Sequence, residues 1–214
     1  MKLSRPLVLL AVGAVVALAL LAGIAYIFKL PPFREKGEIK AGEVCSSLGS
    51  SSNAVDALTK VLPEESSYSF DENIDLRTDV TDTNFESSCF VAGGGKQLLV
   101  AKARLMEDES ATSWTQWVKG TASNEVSIQS LTPFTAGDTA VSSSRFAAVF
   151  VPCTSAGKAP GGQYNLSVST ELKQEGNTND AAARDELIKL AKNAASYAHV
   201  KAKCDMAPNL GGTS

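Results

Sequence analysis

The chain contains a long apolar stretch, residues 7–28, in which no residue carries a charge. At about 1.5 Å of rise per residue, a helix of this length crosses a hydrocarbon core of about 30 Å. In such a core every unpaired backbone amide is costly, which favours one continuous helix. The pattern therefore predicts a transmembrane helix over residues 7–28, preceded by a cytoplasmic N-terminus at residues 1–6.

A cleaved secretory signal is the alternative interpretation of this stretch. Lys2 and Arg5 would form its basic region, and Ala22 and Gly23 would supply small residues for cleavage. The apolar core of a signal peptide is usually about 7–15 residues long, so the greater length here favours a retained anchor. Residues 20–23 resemble a lipoprotein signal, but Ile24 stands where the lipid-bearing cysteine would be required, which excludes lipidation at that position.

Beyond residue 42 several stretches alternate apolar and polar residues, a pattern typical of half-buried strands. In one of them, Leu99, Ala101 and Ala103 alternate with Lys102 and Arg104. The predicted strands cover residues 74–80, 85–92, 97–106, 126–131, 139–141, 146–151 and 164–172. Residues 146–151 are apolar at every position, which predicts a central strand with helices over both of its faces.

Three further stretches carry apolar residues three and four positions apart, as amphipathic helices do. They are residues 52–62, the segment after Ser110, and the long segment that Thr178 or Asn179 would cap. Together the strands and helices predict one extracytoplasmic α+β domain over residues 43–204, with a mostly antiparallel sheet and helices packed largely on one face. Residues 29–42 are expected to form a juxtamembrane linker, and residues 205–214 a disordered tail.

Four cysteines indicate the compartment in which this domain resides. They are Cys45, Cys89, Cys153 and Cys204, and they follow no metal-binding spacing. An even number of widely separated cysteines favours two disulfides in an oxidising compartment. This places the N-terminus in the cytoplasm and the domain outside it, whereas the basic residues on either side of the apolar stretch leave the orientation undecided. Four buried free thiols are the alternative.

Four cysteines allow three pairings, and the sequence alone does not fix which one forms. The layout favours Cys45 with Cys89 and Cys153 with Cys204, because each bond would then tie a helix to the end of a strand.

One metal-like pattern lies in the acidic region around residue 75. Its residues occupy the first, third, fifth, ninth and twelfth places of a calcium-loop template: Asp71, Asn73, Asp75, Asp79 and Asp82. The sixth place is Leu76, where the loop needs glycine, and the last ligand is Asp instead of Glu. Ile74 and Leu76 alternate with polar residues, which favours a strand whose polar side chains face water over a calcium loop. We therefore expect neither a metal nor another cofactor.

Trp114 and Trp117 lie three residues apart on the predicted second helix. A pair of exposed tryptophans at this spacing would form a platform for a ligand, such as a sugar or a lipid. At the same spacing both side chains would also fit a helix face that packs into the core, and the large apolar area of tryptophan favours that interpretation.

Composition and motifs narrow the function. A net charge of -3 gives no electrostatic case for nucleic acid binding. The single histidine, His199, lies near the end of the predicted last helix, and no serine or cysteine in a nucleophile-elbow context accompanies it. We therefore expect a protein that is not an enzyme, although carboxylate pairs brought together from distant parts of the chain would leave an envelope hydrolase open.

Three segments carry a resemblance to a known group of proteins. They are SSCFV at residues 87–91, AVFVPC at residues 148–153, and the closing run at residues 181–204. With a cysteine near the start of the exterior part, the chain resembles uncharacterised actinobacterial envelope proteins that are single-pass or lipid-anchored. The resemblance implies a cysteine-paired α+β exterior domain at the cell envelope, and it implies no reaction.

These observations predict a membrane-anchored, extracytoplasmic binding or accessory module of the cell envelope. Its ligand would be an envelope protein, a lipid or a glycan, with Trp114 and Trp117 as candidate contacts. The alternative is a structural or assembly partner of another membrane protein, because Gly13 and Ala17 give one side of the apolar helix a small-residue surface.

Overall fold

The computed structural model describes residues 19–24, 27, 36–49, 52–78, 83–107, 109–125, 131–159 and 162–211. The chain divides into two units, Met1–Gly37 and Glu38–Ser214. In the first unit residues 19–24 and residue 27 are helical, and most of the predicted span at residues 7–28 lies outside the described residues. No helix within the described ranges has the length and apolarity that crossing a bilayer requires.

The second unit is built on a seven-stranded antiparallel sheet. Its strands are β1 (Tyr68–Thr78), β2 (Thr83–Gly93), β3 (Lys96–Glu107), β4 (Thr132–Pro133), β5 (Thr139–Ser142), β6 (Phe146–Ala159) and β7 (Gly162–Leu172). Their order across the sheet is β1-β2-β3-β7-β6-β5-β4. The predicted α+β class and antiparallel pairing are confirmed, and β1 and β6 are longer than the sequence pattern indicated.

Two helices, α1 (Ser52–Val61) and α3 (Asp180–Lys201), pack on the first face of the sheet. The side chain of Asn179 caps α3 by accepting a hydrogen bond from the Ala182 N–H at 3.0 Å. The predicted apolar stripe of α3 is buried throughout, from Leu187 to Ala198. Lys60 of α1 and Glu186 of α3 form an ion pair at 2.8 Å, which joins the two helices at their edge.

The third helix, α2 (Ala111–Glu125), lies on the second face and covers only part of it. Its Trp114 and Val118 pack against a small core formed by β5 and β6, which includes Val141, Phe146 and Phe150. The sheet is therefore covered on both faces at the strand predicted over residues 146–151, as its apolar pattern required. Among the described residues, α2 reaches β7 at Ser167, and the second face is left without a helix over β2, over most of β3 and over the rest of β7.

Two disulfides join helical segments to strands. Cys45 precedes a short 3-10 helix, Ser46–Leu48, and pairs with Cys89 of β2. Cys153 of β6 pairs with Cys204, which follows α3. Both predicted pairings are confirmed. Each bond closes a loop of more than 40 residues, with sequence separations of 44 and 51.

The segment after Cys204 differs from the disordered tail expected at residues 205–214. The backbone N–H groups of Asp205 and Met206 both donate to the Cys153 carbonyl, at 2.9 and 3.0 Å. Gly137 donates to the Asn209 carbonyl at 3.0 Å, and Leu210 packs on the main core. The disulfide brings this segment onto β6, where its backbone groups find partners, so residues 205–211 follow the surface of the domain.

The predicted linker also contributes to the fold at its end. Ile39 is buried in the main core, together with Val44 just beyond the linker boundary. An isolated apolar residue in a charged stretch gives no periodic signal, which explains why the pattern placed the start of the domain at residue 43.

Candidate functional site

The uncovered part of the second face forms a groove of about 400 Å³ between α2 and the sheet. We call it the open-face groove. Its polar lining consists of Glu86, Gln97, Lys102, Arg104, Thr121, Ser167, Ser169, Glu171 and Lys173. Its apolar lining consists of Phe90, Val100, Ala103, Trp117, Val118, Phe146 and Ala148.

Strand register arranges the residues that form and border the floor of the groove in three rows across β2, β3, β7 and β6. The rows are Phe90, Val100, Glu171 and Phe146; then Ser88, Lys102, Ser169 and Ala148; then Glu86, Arg104, Ser167 and Phe150. Every member points to the second face because side chains two residues apart lie on the same side of a strand. Lys102 and Arg104 therefore stand near the middle of the floor, between apolar residues of β6 and polar residues of β2.

Trp114 fixes the helix that forms one wall of the groove. Its ring is fully buried and stacks on Phe150 with 5.2 Å between the ring centres. Its indole N–H donates to the Ser167 hydroxyl at 2.8 Å. The stacking contact and this hydrogen bond together hold α2 against β6 and β7. The core interpretation of Trp114 is confirmed, and its side chain does not line the groove.

Trp117 lies in the groove wall and keeps 43% of its surface exposed. The guanidinium carbon of Arg104 lies 4.7 Å from the centre of its ring, a cation–π contact. The core interpretation was therefore wrong for this second tryptophan. A spacing of three residues turns Trp117 about 60° from Trp114 around the helix. Because α2 lies at the border of the covered region, that turn directs Trp117 toward the uncovered strands.

The groove holds three cations and two carboxylates, which gives a net charge of +1. Lys173 and Glu171 form an ion pair at 2.6 Å, so they compensate each other. Lys102 is exposed, and its side-chain ammonium forms no hydrogen bond or ion pair with any part of the chain that the structure describes. Arg104 faces Glu86 in the strand register, yet its guanidinium lies over Trp117. The centre of the groove is therefore electropositive.

The acidic residues considered as a calcium loop lie on a strand. Asp71, Asn73 and Asp75 belong to β1 and alternate with the residues that face the helices, as the strand interpretation required. Asp79 and Asp82 lie outside the described residues. Among the residues with a described position, no three histidine, cysteine, aspartate or glutamate side chains come together in a way that would hold a metal ion.

His199 lies on the opposite side of the sheet from the groove. One of its ring nitrogens, Nε2, is 2.6 Å from the Met206 carbonyl oxygen. The ring thus helps to hold the C-terminal segment on α3, and the structure does not bring it to the residues of the groove.

The pattern of the chain contained one signal for the groove residues. Lys102 and Arg104 occupy the polar face of β3, and a polar face on a strand of this sequence predicts contact with water. The sequence did not indicate that β3 lies third of seven strands, far from either edge. A wet polar face at that place, beside a helix that covers only the neighbouring strands, produces a groove.

Comparison with known proteins gives no match to this chain, whether with protein-family models, with curated proteins or with solved structures.

Proposed function

We propose that this protein is a membrane-anchored binding module outside the cytoplasm, which holds a small ligand in the open-face groove without transforming it. The observation that carries the proposal is Trp117, a large aromatic side chain left 43% exposed inside a concave site. An exposed tryptophan in a groove presents a flat apolar surface to a ligand. The cation–π contact with Arg104 also stabilises the position of Trp117.

The dimensions of the groove support this function. Ligand sites occupy about 300–1,000 Å³ and combine apolar walls with a few polar groups. The open-face groove has about 400 Å³, and one row of its floor contains Phe90, Val100 and Phe146 together with Glu171, which is paired with Lys173. Its walls belong to strands and to a helix anchored by Trp114, so the site exists before a ligand arrives and costs little ordering entropy on binding.

The proposed location rests on other features. Two disulfides favour an oxidising compartment. The uncharged stretch at residues 7–28 is the proposed anchor, with the N-terminus in the cytoplasm. A binding module tethered in this way would meet ligands of the cell envelope.

The test is a fragment screen by ligand-observed NMR on the intact protein and on two matched variants. Ser169→Trp fills the floor of the groove, and Ser196→Trp places the same side chain on the exposed surface of α3. We expect aromatic fragments to bind the wild type and S196W and to be lost from S169W, with all three proteins folded by circular dichroism. Equal binding by S169W, or no fragment binding at all, would contradict the proposal.

A further inference from the structure

We infer that the ligand of the open-face groove is a small phosphate monoester in which the phosphate is attached to a flat apolar group. This inference rests on the proposed binding function and specifies the chemistry of the ligand. Three features carry it: the uncompensated cations at the centre of the floor, the arrangement of the donors around them, and the aromatic surface beside them.

The charge of the groove selects an anion. Of its three cations, Lys173 is paired with Glu171, whereas Lys102 and Arg104 have no ion-pair partner among the described residues. Hydrogen bonds between such cations and an anionic group are stronger than those between neutral groups. Glu86, in register with Arg104 on β2, lies on the far side from β7 and would repel an anion placed near it. The favourable place for the anion is therefore between β3 and β7.

The donors at that place surround one point. Ser169 of β7 is the register partner of Lys102, and residues that face each other across antiparallel strands lie about 4.5–5.5 Å apart. Arg104 follows Lys102 by two residues on the same side of β3, about 7 Å further along the strand. The hydroxyl of Ser169 forms no hydrogen bond within the described chain, so it is available to a ligand. An ammonium, a guanidinium and a hydroxyl in three directions match the three terminal oxygens of a phosphate better than the two oxygens of a carboxylate.

The remainder of the ligand would lie on the apolar part of the groove. Trp117 lies beside Arg104, and the row of Phe90, Val100 and Phe146 lies one step along the strands from Lys102. An aromatic or other flat apolar group attached to the phosphate would contact these side chains while the phosphate contacts the cations. The volume of about 400 Å³ accommodates one small molecule of this kind.

The test compares three probes that share one ring system: 1-naphthyl phosphate, 1-naphthoate and 1-naphthol, each titrated into the intact protein by calorimetry. We expect the phosphate to bind at least tenfold more tightly than 1-naphthol, with 1-naphthoate between them. Lys102→Met should remove most of this difference. Lys119→Met, a variant of an exposed lysine on α2 that does not line the groove, should preserve it.

The outcomes separate the ligand class from the binding function. If 1-naphthol binds as tightly as the phosphate, and S169W abolishes both, the groove binds ligands and the phosphate inference is overturned. If none of the three probes binds although the fragment screen finds ligands of the groove, the phosphate inference alone is overturned, whereas the binding function fails only if the screen finds no ligand. Retained discrimination in K102M would also overturn the inference, because the charge at the centre of the floor would then not be responsible.

A phosphate monoester could come from a membrane lipid or from a soluble molecule, and one further arm distinguishes these sources. The intact protein, held in phosphatidylcholine nanodiscs, is titrated with vesicles that contain phosphatidic acid. Vesicle binding that is lost in K102M would assign the phosphate to a lipid, whose glycerol and acyl chains are not a flat apolar group, and would overturn that part of the inference. Binding of 1-naphthyl phosphate without vesicle binding supports a soluble phosphate ester.

Discussion

The guanidinium of Arg104 lies 4.7 Å from the centre of the Trp117 ring, although its register partner across the strands is the carboxylate-bearing Glu86. This contact joins the middle of the sheet to α2 across the groove. Both side chains line the groove, so the contact stabilises the exposed tryptophan where a ligand would meet it.

A double-mutant cycle measures this contact. Cation–π pairs at exposed sites contribute about 0.5–1 kcal/mol, so Arg104→Met and Trp117→Leu, each of which removes the contact, should show a coupling free energy of that size. The measurement is the free energy of unfolding in urea for the wild type, both single variants and the double variant. Additive effects within about 0.3 kcal/mol would mean that the two side chains do not interact in solution.

The two tryptophans of α2 should differ in their contribution to stability. Trp114 is fully buried, stacked on Phe150 and hydrogen-bonded to Ser167, so Trp114→Ala should cost about 3–5 kcal/mol. Trp117→Ala should cost about 1 kcal/mol or less, because much of the ring is already exposed to water. Urea denaturation of both variants provides the comparison. Similar losses at the two positions would place Trp117 in the core.

The sequence predicted the strands and helices that these experiments concern, but it did not predict the groove. The alternation of apolar and polar residues located β3 and β7, and the continuous apolar run at residues 146–151 indicated a strand covered on both faces. The layout of strands and helices favoured the two disulfide pairings that form, although the sequence alone left three pairings open. The strands were predictable because their apolar and polar periodicity involves residues that are close together in the sequence.

The groove depends instead on where α2 lies across the sheet. That position is set by the contact of Trp114 with Phe150 and Ser167, residues that are 36 or more positions away along the chain. The same spacing of three residues is compatible with two buried tryptophans or with one buried and one exposed. Only the lateral offset of the helix decides between them, and periodicity carries no information about that offset.

The disulfide between Cys153 and Cys204 should act as one unit in stability measurements. It closes a loop with a separation of 51 residues, for which the chain-entropy model gives about 4 kcal/mol. Cys153→Ser, Cys204→Ser and the double variant should therefore lose similar amounts of free energy of unfolding. A double variant that loses the sum of the two single losses would contradict the pairing. Alkylation of the unreduced native protein, followed by mass spectrometry, should label none of the four cysteines.

Substitution of two glycines by alanine should change the free energy of unfolding in opposite directions. Gly137 has a φ of 57°, and a Cβ at this position would lie 2.1 Å from the Phe150 carbonyl oxygen. Gly137→Ala should therefore destabilise the domain by more than about 1 kcal/mol. Gly120 lies in α2 with open space around the position of its Cβ, so Gly120→Ala should stabilise by about 0.5–1 kcal/mol. Thermal unfolding of both variants tests the two signs, and a neutral G137A would mean that the loop at Gly137 moves freely away from β6.

The free energy of unfolding of the domain should decrease in acid, because two carboxylates, Glu72 and Glu186, have a lower pKa in the folded protein than in the unfolded chain. Burial of Glu72 acts to raise its pKa, but hydrogen bonds from the Ser47 and Ser46 backbone N–H groups, at 2.7 and 3.2 Å, outweigh it and lower the pKa. Burial likewise opposes the lowering of the Glu186 pKa, where hydrogen bonds from Lys60 and Lys189 prevail.

A pKa that is lower in the folded protein than in the unfolded chain stabilises the folded state above the unfolded value, which is about 4.3 for glutamate. That contribution disappears as the pH falls through the folded pKa. The free energy of unfolding in urea should therefore be constant near neutral pH and should decrease steadily below about pH 4.3. Glu72→Gln should lower stability at pH 7 and decline less in acid than the wild type. The matched control is Glu43→Gln, which removes an exposed carboxylate that forms only an exposed ion pair with Lys40, and this variant should behave like the wild type. If the stability of E72Q declined in acid as much as that of the wild type, the Ser46 and Ser47 contacts would not hold the carboxylate in solution.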